Sequence, residues 1–102
     1  MEAVRVRYTV KPEYIEHNKE NIRKVMEEVR SLNPEGLKYS TFQLDDNDTF
    51  IHIAMFNDPD SRKILGSLES FQKFQKELKE SEPVSPPQPI DLHLVGSSYD
   101  IF

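Results

Sequence analysis

Four side chains of this sequence are of types that could carry chemistry at a site: His52, Tyr8, Tyr39 and Arg7. An imidazole titrates near neutral pH, so His52 could act as a general base, deprotonating a phenol so that its anion reacts with oxygen. Tyr8 and Tyr39 carry hydroxyls on large apolar bodies, which suits them to donate a hydrogen bond to a ligand in an apolar cavity. Arg7, like Arg5, could hold an acidic ligand, or could pair with Asp91 or the carboxylates of a nearby turn. Each has a plainer reading beside the chemical one. The histidine could be hydrogen-bonded inside a subunit interface, the tyrosines could be core residues with satisfied hydroxyls, and the arginines could form structural ion pairs.

Other chemistries are excluded by composition. The chain has no cysteine, which removes thiol nucleophiles, thiolate metal sites and disulfide scaffolds together. Asp45, Asp46 and Asp48 cluster as calcium ligands do, but Asn57, not glutamate, stands at the twelfth position counted from Asp46. The cluster is therefore read as a turn. Glycines stand only at positions 36, 66 and 96, too few and too far apart for a phosphate-binding loop. Neither a metal nor a cofactor is expected. Lys and Arg total 13 against 18 Asp and Glu, a net charge of −5 that disfavours nucleic acid and anionic membrane surfaces. The start Met1-Glu2-Ala3-Val4-Arg5 has no leader pattern and no apolar run approaches a membrane span, so a cytoplasmic protein is expected.

The elements that would position these residues follow from periodicity. Val4, Val6, Tyr8 and Val10 alternate with Arg5, Arg7 and Thr9, the pattern of a strand. Pro12 opens a helix whose stripe is Ile15, Ile22, Val25, Met26, Val29 and Leu32, closed by Asn33-Pro34-Glu35-Gly36 with Gly36 free to take a positive φ. His17 lies off that stripe and is expected in solvent. Strands over 37–44 and 49–56 flank a hairpin turn at Asp45-Asp46-Asn47-Asp48. A helical region follows to about Glu80, interrupted near Gly66-Ser67 with Ser67 or Ser70 as a cap, its stripe Leu68, Phe71, Phe74 and Leu78. Pro83, Pro86, Pro87 and Pro89 form a stiff connection to a last strand over 90–95. The order β-α-β-β-α-β predicts one ferredoxin-like α+β domain over 1–102, a four-stranded antiparallel sheet with two helices on one face.

Residues 49–56 are apolar on both sides: Ile51, Ile53 and Met55 alternate with Phe50, His52, Ala54 and Phe56. One layer of helices covers one face only, so the other is expected to meet a second copy of the chain. The aliphatic set is read as helix-facing, which makes Phe50, His52, Ala54 and Phe56 the dimer interface and places His52 away from a cavity under the helices. A tail over 97–102 folded across that face is the alternative cover. The same strand order occurs in RNA-recognition motifs. Here Asp48 and Thr49 replace the basic-glycine start of the third strand, and the first strand lacks the companion aromatic motif.

Val10-Lys11-Pro12-Glu13, Pro34-Glu35-Gly36-Leu37-Lys38-Tyr39, Phe50-Ile51-His52-Ile53 and Ser70-Phe71-Gln72-Lys73-Phe74-Gln75 together resemble the dimeric α+β barrel superfamily, and within it the antibiotic-biosynthesis-monooxygenase-type domains. The resemblance spans nearly the whole chain. It implies a homodimer and a ligand cavity between sheet and helices. It also implies a cofactor-independent monooxygenase acting on a small aromatic or quinol-like molecule, or a non-catalytic, stress-related dimer that binds a small apolar ligand. The haem-degrading members use a tryptophan and a histidine of the second helix, and this chain has neither.

Overall fold

The computed structural model describes all of residues Met1–Phe102. Strand β1 (Glu2–Thr9) leads through a 3-10 turn at Pro12–Tyr14 into helix α1 (Ile15–Leu32); β2 (Leu37–Gln43) and β3 (Thr49–Phe56) form the hairpin. The second helical region is two helices, α2 (Pro59–Ser67) and α3 (Glu69–Glu80), before β4 (Ser85–Leu92). All neighbours in the sheet are antiparallel, in the order β2-β3-β1-β4. This is the ferredoxin-like α+β arrangement. No helix is long and apolar enough to cross a membrane.

Local chemistry sets the ends of the elements, not always where periodicity placed them. The left-handed residue closing α1 is Asn33 (φ 48°), not Gly36. Gly36 is required instead by a close approach, since a Cβ there would run into the Ser61 hydroxyl. At the hairpin Asp46 Oδ1 accepts from the backbone N–H groups of Asp48 and Thr49, at 3.0 and 2.9 Å, and Asn47 takes φ 67°. Asp58 caps α2 by accepting from Ser61 N at 2.8 Å. Neither Ser67 nor Ser70 caps α3. Its first turn is met from outside by Glu28 Oε1 of α1, which accepts from the Ser70 backbone N–H at 3.3 Å and from the Ser70 hydroxyl at 2.6 Å. β4 begins at Ser85, inside the proline run, because it is an edge strand and a missing N–H toward solvent costs it no ladder bond.

The register decides which face of the sheet is which. Val4 stands opposite Ala54, Val6 opposite His52 and Tyr8 opposite Phe50, so these six side chains share one face. That face lies under the helices. Tyr8, Phe50, Ala54 and Phe56 join Val25 of α1, Leu65 of α2 and Phe74 and Leu78 of α3 in one buried core. The expected assignment of strand β3 is thus reversed. Phe50, His52, Ala54 and Phe56 are buried beneath the chain's own helices and are not a dimer face, whereas Ile51, Ile53 and Met55 point outward and are only half-buried. Aromatic rings fill the thicker space between helix and sheet; the shorter aliphatics suit a shallower face. Truncating a ring of this core removes its transfer energy and leaves a cavity, so Phe50→Ala should lower the unfolding free energy by about 3–5 kcal/mol in urea titration. A loss below about 1 kcal/mol would mean that the helices do not cover this face.

Candidate functional site

Three adjacent strands bring Tyr39, His52 and Tyr8 together. His52 is on the central strand β3, and the register sets Tyr39 of β2 opposite Ala54 and Tyr8 of β1 opposite Phe50. The two tyrosines are therefore diagonal neighbours of His52 on either side, within reach of a long side chain. Tyr8 Oη lies 2.7 Å from His52 Nε2, and Tyr39 Oη lies 2.6 Å from Nδ1. Thr41, directly opposite His52, places Oγ1 3.0 Å from the same Nδ1. Beyond Tyr8, Asn18 of α1 donates from Nδ2 to the Tyr8 oxygen at 2.9 Å. Both imidazole nitrogens thus have partners, as a buried histidine requires.

The cluster forms the floor of a cavity of about 440 Å³. Phe71, Phe74 and Leu78 of α3 form one wall, and Pro83, Pro86 and Pro87 the other, with Gln75 and Lys79 at the rim. The His52 ring lies 5.1 Å from Phe74 and the Tyr8 ring 5.7 Å from Phe50, so the polar atoms are set in an aromatic cage. Such a pocket, apolar with a few convergent polar groups, is the usual form of a small-molecule site. The wall is anchored to α1. Glu77 of α3 accepts from Asn21 Nδ2 at 2.9 Å and pairs with His17 Nε2 at 2.6 Å, so His17 makes a specific contact instead of standing free in solvent. These two bonds, Asn21's first, hold the Glu77 carboxyl below the usual range.

Burial sets the electrostatics. His52 is 4% exposed, and desolvation pushes its pKa down to about 3. Desolvation also raises both tyrosines well above the usual phenol value, offset in part at Tyr8 by the Asn18 hydrogen bond. At neutral pH the cluster is uncharged throughout. An imidazole so placed is held neutral at pH 7, and desolvation opposes its taking up a whole proton. It remains able to hold and align the hydroxyls beside it.

Of the candidate residues, the structure brings His52, Tyr8 and Tyr39 to one cavity and leaves Arg7 out. Arg7 stands opposite Ile51 and Gln88, exposed on the outward face of the sheet. Arg5, on the same face, has a buried Nε without a hydrogen-bond partner. Asn18 and Thr41 were not among the expected site residues. Asn18 had a legible signal: it falls three residues after Ile15 and four before Ile22, a polar residue on an otherwise apolar helix stripe. Thr41 had none, since threonine is ordinary in a strand.

No family model matches the sequence, and no curated protein does. Solved structures do. An antibiotic biosynthesis monooxygenase aligns over 94% of this chain and 100% of its own, with a TM-score of 0.79 and 21% identity. A protein from Nitrosomonas europaea, provisionally given the same name, aligns over 94% of this chain and 100% of its own, with TM-score 0.79 and 16% identity. One from Bacteroides thetaiotaomicron, named likewise, covers 99% and 95% of the two chains with TM-score 0.82 and 15% identity. The chain shares their fold.

The neutral imidazole makes a pH-dependent contribution to stability. Its folded pKa lies below the unfolded value of about 6.5, so below that pH the unfolded chain binds a proton that the native state refuses. Stability from this group is then complete above pH 6.5 and declines as pH falls. From pH 6.5 to 5 the loss should be about 1.5–2 kcal/mol in denaturant titrations, above the range where carboxyl groups respond. His52→Gln should abolish this portion of the slope; an unchanged slope would show that His52 is not buried neutral.

Proposed function

We propose that this chain is a cofactor-independent monooxygenase of the antibiotic-biosynthesis type, acting on a small aromatic or quinol-like molecule held in the cavity above His52. The observation that carries the reading is the uncharged Tyr8–His52–Tyr39 cluster at the floor of an aromatic cavity. The shared fold supports it.

The chemistry asked of the protein is modest. A substrate with an acidic C–H or O–H conjugated to a ring supplies the electrons itself. It loses its proton to solvent and adds dioxygen at carbon as the anion. The O–O bond then breaks, one oxygen staying as the product's carbonyl and the other leaving as water with the carbon's remaining hydrogen and a proton returned from solvent. The protein's part is to exclude water, hold the ring flat against Phe74, and stabilise the substrate's developing negative oxygen by hydrogen bonding. Preorganised donors in a dry site are the larger effect in such reactions, and removing one typically costs about 10²–10³ in rate. Tyr39, lining the cavity and held by His52 at 2.6 Å, is placed for that task. His52 acts through it as a positioning residue.

The unit is proposed to be a homodimer through the outward sheet face. Phe42, Ile90 and Leu92 are 56%, 46% and 38% exposed beside Ile51, Ile53 and Met55, a contiguous apolar surface of the kind that marks an interface. The unpartnered Arg5 Nε in its midst calls for an acceptor from outside the chain.

Oxygen consumption measured with polycyclic phenols and quinols should show turnover that falls about 10²–10³-fold in Tyr39→Phe without a matching rise in KM. Saturable binding with no oxygen uptake would replace the enzyme by a ligand-binding dimer. In sedimentation velocity the wild type should run as a dimer and Ile53→Asp as a folded monomer, and a wild-type monomer at micromolar concentration would exclude the proposed interface.

A further inference from the structure

The hydrogen bonds beneath the cavity have a direction, and it is set from the helix side. Asn18 is fully buried on α1, and its amide nitrogen donates to the Tyr8 oxygen at 2.9 Å. That leaves Asn18 Oδ1 without any partner, an unusual state for a buried amide that only fills space. Tyr8 is itself only 1% exposed, so its single hydroxyl proton has to find an acceptor within the protein. With Asn18 presenting a donor, the acceptor in reach is His52 Nε2 at 2.7 Å. A neutral imidazole that accepts at Nε2 carries its proton on Nδ1. Nδ1–H then donates outward, to Tyr39 Oη at 2.6 Å or Thr41 Oγ1 at 3.0 Å. Neither hydroxyl can donate to a protonated nitrogen. Tyr39, partly exposed and lining the cavity, also takes a hydrogen bond from Thr41 that favours its ionised form. With His52 and Thr41 both donating to its oxygen, its own proton is left for whatever occupies the cavity.

We propose that Asn18 and Tyr8 fix His52 as the Nδ1–H tautomer, so that Tyr39 offers a proton to the cavity and the site selects ligands whose buried end is a hydrogen-bond acceptor. The ligand class is an aromatic ring system bearing a carbonyl or phenolate oxygen. This inference rests on the reading of the cavity as a ligand site. Asn18 and Tyr8 are positioning residues in it. The polarity of the chain, running donor to acceptor from α1 to the cavity, is what distinguishes an oxygen anion from a group that must itself donate. The rim suits the same class, since Lys79 forms no ion pair and is the cation nearest the mouth.

Long-range ¹⁵N–¹H spectra of the ¹⁵N-labelled wild type read the tautomer directly, and binding of 1-tetralone against tetralin reads the donor. These two probes share one carbon skeleton and differ by the carbonyl acceptor. The inference predicts an Nδ1–H signature for His52, and 1-tetralone bound about three- to tenfold more tightly than tetralin. It predicts that Tyr39→Phe abolishes this preference while leaving tetralin binding unchanged. Asn18→Asp replaces the donor with a carboxylate that takes the Tyr8 proton, so His52 should switch to Nε2–H and the preference should fall. An Nε2–H wild type would overturn the inference, whether or not the Asn18 variant folds. Equal binding of the two probes would overturn it while leaving the cavity a ligand site. Binding of neither would overturn the cavity reading itself, and the inference with it.

Discussion

A histidine buried in an apolar cage imposes demands on everything around it. Kept from water, the imidazole cannot stay charged, and each of its nitrogens needs a partner of the right sense. Here the demand is met by three neighbours in the sheet and one residue on a helix. Tyr8, Tyr39 and Thr41 surround the ring, and Asn18 reaches down from α1 to the Tyr8 oxygen. Those contacts in turn fix the register of β1, β2 and β3, since a shift by one residue in any strand would turn its partner to the other face. They also fix the placement of α1, whose buried face sets Asn18 where the phenol lies. Fold and site therefore share the same bonds.

The cavity is the volume left over once that cluster is satisfied. Phe71, Phe74 and Leu78 of α3 line it together with Pro83 and the β4 prolines Pro86 and Pro87. The Glu28 contact to Ser70 and the Glu77 contacts to His17 and Asn21 tie α3 to α1 along its length. An uncharged, aromatic-lined space with one directed hydroxyl suits a flat ligand bearing an acceptor oxygen better than it suits a cationic or flexible one.

The strand order, the long helix and the hairpin could be read from the sequence because each rests on a local pattern of period or turn chemistry. The break in the second helical region was visible at Gly66-Ser67 for the same reason. What could not be read was the sense of strand β3. With apolar residues on both sides, alternation gives two faces but does not say which one the helices cover. That answer came from pairing. Phe50 stands opposite Tyr8 and His52 opposite Val6, so the set containing His52 follows the face of Tyr8. The tyrosines were legible as candidates, yet the bond between them and His52 is a three-strand property that no single strand reveals. Asn18 belongs to the same class of hidden information, its polarity visible and its partner not.

The central claim is that the cavity above His52 receives a flat aromatic molecule through an oxygen held by Tyr39. Co-crystallisation with 1-tetralone tests it most directly. The account predicts the ring bound between Phe74 and the prolines, with its carbonyl oxygen within about 3 Å of Tyr39 Oη. A ligand seated on the outward sheet face, or one in the cavity with its oxygen turned to the rim and Tyr39 unengaged, would contradict it.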